Sequence, residues 1–198
     1  MTANTYLTPE ERAVLESARV GIAGAGGLGS NCAMHLVRSG VKRITIVDFD
    51  VVNESNLNRQ FFFRDQLGQK KVEAIKANLL RIEPDADIRA VDMRLDASSA
   101  REIFADCGIV VEAFDAVDAK VMLVSAFASS GKKLVTASGL AGWGRSNAMR
   151  VRKMGNIVAI GDGETSVGDG AAPVSPRVGI AAAMEANAVV SLLLGCEL

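Results

Sequence analysis

The chain is short of the residues that most often carry chemistry: one His, three Cys, one Trp and one Tyr in 198 residues. The single histidine, His35, lies inside a helical stretch with no partner motif, and reads as a packed helix residue rather than the base of a nucleophilic triad. Cys32, Cys107 and Cys196 are far apart and form no Cys-x-x-Cys pair, which argues against a thiolate zinc site and against a disulfide framework. Their apolar surroundings suggest buried, inert thiols. Neither sign of charge is in excess: 22 Lys and Arg stand against 23 Asp and Glu, for a net charge of -1. Bulk electrostatics therefore makes no case for nucleic acid or an anionic membrane as partner. An unbroken apolar run is also missing. Met1 to Arg12 is polar and lacks a signal-peptide stretch, and Val178 to Leu194 is interrupted by Glu185 and Asn187, so it reads as a buried helix and not a membrane span. With 49% hydrophobic and 23% charged residues, the expectation is a cytoplasmic chain forming one domain over residues 1–198.

What the sequence does have is glycine in one telling place. Gly24-Ala25-Gly26-Gly27-Leu28-Gly29-Ser30 follows an apolar run from Val20 to Ala23 and precedes a segment of helical spacing ending near Ser39 and Gly40. Strand, glycine turn and helix in that order bring backbone N–H groups at a helix N-terminus to a phosphate. Downstream, strands are expected at Arg43–Val47, Asp87–Met93, Gly108–Ala113 and Lys133–Ala137, and helices at Gln69–Ile82, Ser98–Ala105 and Asp118–Ser130. That alternation predicts a Rossmann-like, doubly wound α/β fold with a mainly parallel sheet. After Gly139 the texture changes. Ser146–Arg152 and Asn156–Ile160 read as added antiparallel strands, Gly161–Pro176 as a Gly- and Pro-rich loop, and Arg177–Leu194 as a closing helix.

In such a sheet ligands bind beyond the carboxyl ends of the strands. Asp48 and Asp50 end the second strand there, and Asp115 follows the fourth. An acid about 20 residues past the glycines suits a ribose, with a helix cap or loop acid as the plainer alternative. The following loop, Asn53 to Gln60, is dense in amides and carries Arg59. Hydride transfer has no use for such a loop, whereas phosphoryl or nucleotidyl transfer needs fixed donors against phosphate oxygens. Arg59 offers a planar fork, Asn56 and Gln60 offer uncharged donors, and Lys71 falls off the apolar stripe of its helix. Taken singly, each cation reads as solvated surface charge.

Together these motifs resemble the ubiquitin-activating-type adenylyltransferases, which include the enzymes that adenylate small sulfur carrier proteins of thiamine and molybdopterin biosynthesis. The resemblance runs from about Ala18 to Ala137, and Val178–Leu194 is similar to the family's closing Ala-rich helix. Ser175 to Met184 most resembles the compact bacterial thiamine-pathway group. The resemblance implies an ATP site in which Gly24, Gly26, Gly27, Leu28, Gly29 and Ser30 surround the phosphates and Asp48, with Asp50 beside it, holds the ribose. It implies that Asn56, Arg59, Gln60 and Lys71 contact phosphate oxygens, that Asp115 binds Mg²⁺, and that Arg59, Lys71 and Asp115 carry catalysis. The partner implied is a small ubiquitin-like carrier ending in Gly-Gly, and the assembly a homodimer. A carboxylate is already a nucleophile at neutral pH, so this reaction needs alignment and charge neutralisation rather than a histidine base.

Some positions depart from the family. Asp115-Ala116 stands where many relatives have Asp-Asn, and Lys120 stands in place of an arginine, leaving its role as phosphate or carrier contact open. The loop Gly161–Pro176 has no cysteine, so the reaction is expected to stop at the adenylate, and no zinc is expected. That loop is either a lid over the carrier tail or a plain connection, and Trp143 either lines the tail's channel or packs in a core or dimer interface. The rival readings are an adenylating relative acting on a molybdopterin carrier or a tRNA base, and a non-catalytic partner subunit. A nicotinamide-dependent oxidoreductase fits less well.

Overall fold

The computed structural model describes residues 6–165 and 170–198. Helix α1 (Pro9–Ser17) starts as its sequence predicts: Thr8 accepts from the Glu11 amide, Glu11 answers with its carboxylate to the Thr8 amide at 2.8 Å, and Pro9 occupies the first turn. Then strand and helix alternate: β1 (Arg19–Ala23), α2 (Gly27–Ser39), β2 (Arg43–Asp48), α3 (Lys71–Ile82), β3 (Asp87–Asp92), α4 (Ala97–Ile103), β4 (Ile109–Glu112), α5 (Val117–Phe127) and β5 (Lys133–Ala137). A hairpin, β6 (Arg150–Met154) and β7 (Ile157–Gly161), and a last helix, α6 (Ser175–Leu194), complete the order.

The seven strands form one sheet in the order β3-β2-β1-β4-β5-β7-β6. Every neighbouring pair is parallel except β6 with β7. The added hairpin is therefore only half antiparallel to the sheet: β7 docks parallel to β5, and β6 is the outer edge. Ser146–Ala148, expected to begin that strand, is a 3-10 turn, and the expected starts of α3 and α6 shift by two residues. Such shifts are ordinary, because a helix is fixed by its packed face and its ends are set by local capping.

Two apolar layers enclose the sheet. One joins Leu28, Cys32 and Leu36 of α2, Ile75 and Leu79 of α3, and Ala182 and Val189 of α6. The other places Phe104, Leu123 and Phe127 against Val110 and Leu134. Helix α6 is long and apolar enough by composition to cross a membrane, yet it lies along α2 with Ala181, Ala182, Ala186 and Val189 buried. Gly27 of α2 lets the helices approach closely: a Cβ on it would come within 2.9 Å of Val178 Cγ1. Because β1 connects through α2 to one side of the sheet and β4 through α5 to the other, the switch point lies between β1 and β4. The glycine turn and the segment leading to Asp115 meet there.

Candidate nucleotide site

The glycines of the turn have separable reasons. Gly24 has φ +103, and a Cβ on it would lie 2.8 Å from the carbonyl oxygen of Ala113, so the turn rests directly on the end of β4. Gly29 must clear the Gly24 carbonyl, and Gly27 must clear α6. Gly26 is different: the nearest atom to an added Cβ is Gln60 Nε2, at 3.9 Å, so the chain itself does not require a glycine there. Gly26 is also the N-cap of α2 and offers no side-chain cap, leaving the leading amides of the helix facing that space. A bare N-terminus beside an unneeded Cβ suits a phosphate that approaches the backbone closely.

The polar loop after β2 is fastened to this turn by two side chains of α2. Ser30 Oγ donates to Gly26 O at 2.6 Å and accepts from the Phe61 amide at 3.0 Å. Asn31 Nδ2 donates to Gly27 O at 2.7 Å and to Arg59 O at 2.9 Å. Ser30 is fully buried, so its side chain braces the loop from beneath instead of lining the cradle. Leu28 likewise belongs to the core layer. From below, Asn78 holds Phe61 O at 2.9 Å and pairs with Gln66.

This bracing brings the Arg59 and Gln60 side chains beside the turn. The Arg59 stem passes the Gly27 position at 3.6 Å, and its Nη1 donates to Ser55 O at 3.2 Å and Asn58 Oδ1 at 2.7 Å. Asn56 spends its oxygen on the Asn53 amide at 3.0 Å, which leaves its NH₂ as the end turned to other uses. The Gln60 side chain reaches toward Gly26, and its buried Oε1 has no hydrogen-bond partner among the described residues. Lys71, in the first turn of α3, is buried, with Nζ 2.8 Å from Asp50 Oδ2.

Asp48 carries more than a sequence reading assigns it. Its Oδ2 accepts from the Ala25 amide at 2.6 Å and its Oδ1 from the Asp50 amide at 2.8 Å, so the carboxylate pins the glycine turn to β2. Each oxygen keeps one further lone pair for a hydroxyl. Asp115 lies two residues beyond the carbonyl that touches Gly24; it is exposed and has no partner among the described residues. Lys120 does not join them. Its ammonium donates to both Glu112 oxygens, at 3.1 and 2.9 Å, and to Ala137 O at 3.0 Å, and so faces inward below the site.

Glu112 is the residue that sequence reasoning missed. It is fully buried at the end of β4 and accepts from the Phe114 amide and the Thr136 hydroxyl as well as from Lys120. An acid closing an apolar strand, with a lysine eight positions on in the next helix, is the signal that pointed to it. A second buried acid, Glu185 of α6, has both oxygens unpartnered among the described residues. Burial, reinforced by the Glu112 charge, pushes its carboxyl well above the usual range.

The cysteines stand apart from this site. Cys32 and Cys107 are buried, and burial with Asp106 beside it pushes the Cys107 thiol up to about 11 even with Lys132 nearby. Cys196, expected in apolar surroundings, is exposed beyond the end of α6. Trp143 is 76% exposed, which removes it from any core of this chain. No group of three metal-binding side chains occurs among the described residues. A lone carboxylate such as Asp115 matches a cation that takes its other ligands from phosphate and water.

Comparison with known proteins follows the same lines. The sequence profile of the ThiF family matches residues 3–198. Adenylyltransferase and sulfurtransferase UBA4 of Candida glabrata is 36% identical over 142 residues, covering 71% of this chain and 33% of the relative. The molybdopterin-synthase adenylyltransferase of Salmonella typhimurium is 37% identical over 115 residues, 58% of this chain and 46% of the relative. The chain thus spans between a third and half of the length of these curated relatives. Among solved structures, the E. coli tRNA N6-threonylcarbamoyladenosine dehydratase TcdA in complex with AMP superposes with a TM-score of 0.86 at 21% identity, covering 98% of this chain and 93% of that one. At that identity the likeness establishes the fold, a Rossmann-like α/β sheet.

Proposed function

Given that this chain belongs to the ThiF family, we propose that it adenylates the C-terminal glycine carboxylate of a small ubiquitin-like sulfur carrier, using ATP and releasing pyrophosphate. The observation that carries the reading is the fastening of the loop at Arg59 and Phe61 to the glycine turn through Asn31 and Ser30, which brings the Arg59 and Gln60 side chains beside the turn, with Asp115 just past the end of β4. This is a site made of donors around a phosphate cradle, with no base and no nucleophile of its own among them. The names of the curated relatives, both adenylyltransferases, support the same reaction class.

In this mechanism a carrier carboxylate oxygen bonds to the α-phosphorus while the bond from that phosphorus to the bridging oxygen of the β-phosphate breaks, and the electron pair leaves with pyrophosphate. Leading amides of α2 cradle the phosphates. Arg59 and Lys71 stabilise charge on the oxygens in flight, with Asn56 and Gln60 adding donors, and Asp48 receives the ribose hydroxyls. Mg²⁺ held by Asp115 and the triphosphate would supply further neutralisation. Lys71 reaches phosphate by exchanging its Asp50 partner for a phosphate oxygen, a change from one anion to another that leaves the ammonium paired throughout.

The pathway we assign is thiamine biosynthesis, on the likeness of Ser175–Met184 to the compact thiamine-pathway group. A molybdopterin carrier is the second reading, favoured by the Salmonella relative. We further propose a homodimer and a reaction that ends at the adenylate, since Cys32 and Cys107 are buried with their thiols pushed up by that burial and Cys196 lies past the helix. Intact-mass measurement of purified carriers incubated with ATP and the protein tests the reaction: the expected product is a carrier bearing AMP, labile to hydroxylamine. A carrier adduct that survives denaturation and is released by thiol would contradict the adenylate end point.

A further inference from the structure

We propose that the corner formed by Trp143 and the outer strand β6 docks the body of an acidic protein; on the functional reading above, which this inference rests on, that protein is the carrier itself. The only tryptophan of the chain is 76% exposed, and its loop is nonetheless firmly held. The Gly142 amide donates to Ala172 O at 2.9 Å, and Arg177 Nη1 donates to Gly144 O at 2.6 Å. Arg177 is buried and paired with the buried Asp162, whose carboxylate also accepts from the amides of Glu164 and Thr165. An exposed indole on a fixed backbone loses little freedom on binding, which is the property of an interface anchor.

The charge beside it is mostly basic, with Arg145 paired to the exposed Glu164 at 3.1 Å. Residues 139–154 contain Arg145, Arg150, Arg152 and Lys153 and no acidic residue, in a chain whose net charge is -1. All five residues of β6 are exposed, and Arg150 and Lys153 have no side-chain partner among the described residues. The strand and the tryptophan share one corner: Arg152 Nη2 donates to Asp162 O at 3.1 Å, Asp162 pairs with Arg177, and Arg177 holds the residue after Trp143. Register places Arg150 opposite Gly161, at the end of the sheet where the glycine turn and Asp115 lie. Cations on an edge strand also discourage edge-to-edge pairing. That role accounts for the charges of β6 and leaves a fixed, exposed tryptophan beside them unexplained. RNA is the other polyanion to weigh, but one aromatic and one basic strand in a chain of near-zero net charge make a small footprint for it.

The single tryptophan is its own reporter. Purified ubiquitin-fold carriers ending in Gly-Gly are first screened for carrier-dependent pyrophosphate exchange; an active one is then titrated into the protein, with bulk tRNA as the parallel probe. The expected result is a blue shift of Trp143 emission with the carrier and none with tRNA. Trp143→Ala should raise the carrier KM about tenfold or more while the ATP KM stays put. Arg150→Glu with Lys153→Glu should raise the carrier KM and flatten its dependence on salt. Exchange with unchanged emission and unchanged carrier KM overturns the docking surface alone, as does an emission shift with tRNA only. No exchange with any carrier overturns the functional reading and this inference with it.

Discussion

The Asp48 carboxylate reaches back 23 residues to accept the Ala25 amide at 2.6 Å, and so shapes the glycine turn before any nucleotide arrives. A residue that only held ribose would weaken ATP binding when changed and leave the empty protein as stable as before. Asp48→Asn should do both kinds of damage, because one of the two amides then faces an NH₂ group. The expected loss is about 1–3 kcal/mol of stability without nucleotide, together with weaker ATP binding. Thermal unfolding of the empty protein, compared with ATP titration, separates the two effects.

Arg59→Ala removes a guanidinium while leaving the loop latched, since Asn31 holds the Arg59 backbone and not its side chain. Nucleotide binding through the turn should persist, and turnover should fall by about 10²–10³-fold, the usual cost of removing a positioned transition-state donor. Equilibrium dialysis with ATP and pyrophosphate exchange measure the two halves. Unchanged turnover would remove Arg59 from the role assigned to it.

Lys120→Met leaves Glu112 buried without its cation. The expected cost is about 3–5 kcal/mol, the range for breaking one side of a buried pair. Adding Glu112→Gln should recover much of it, and the ATP KM of the folded double variant should match the parent. If Lys120 touched phosphate, the double variant would stay defective in ATP binding. Urea unfolding and the ATP KM together decide.

Glu185 predicts a pH effect of definite sign. Its folded carboxyl titrates above its unfolded value, so its contribution is complete below about pH 4.5 and is lost as pH rises through the folded value. Glu185→Gln keeps the neutral shape and abolishes that loss. The variant should melt near the parent temperature at acid pH and above it at pH 8, with each kcal/mol worth roughly 2–4 °C in a chain of this size. Equal melting curves at pH 8 would contradict a raised Glu185 carboxyl.

The sequence made the winding of the fold legible because a strand, a glycine turn and an amphipathic helix each announce themselves within a dozen residues. Asp48, Arg59 and Lys71 could be picked out by their place after apolar strands or off an apolar stripe. What stayed hidden depended on long-range pairing. That β7 enters the sheet beside β5, leaving β6 outside, is decided by which of two similar strands buries Val158 and Ile160, not by their local pattern. The inward turn of Ser30 and Lys120 has the same origin: each is a polar residue whose partner, Phe61 or Glu112, lies far off or across an element boundary. Trp143 points outward against the habit of its residue type, and the Arg177 contact that holds its loop comes from 33 residues away.

The central claim, that this site transfers AMP to a protein carboxylate, is tested most directly by exchange of labelled pyrophosphate into ATP in the presence of a Gly-Gly-ended carrier and of the same carrier with its C-terminal carboxylate converted to an amide. The account predicts exchange with the free carboxylate, none with the amide, and none without carrier. Exchange that ignores the state of the carrier's C-terminus, or its absence with every carrier tried, would contradict it.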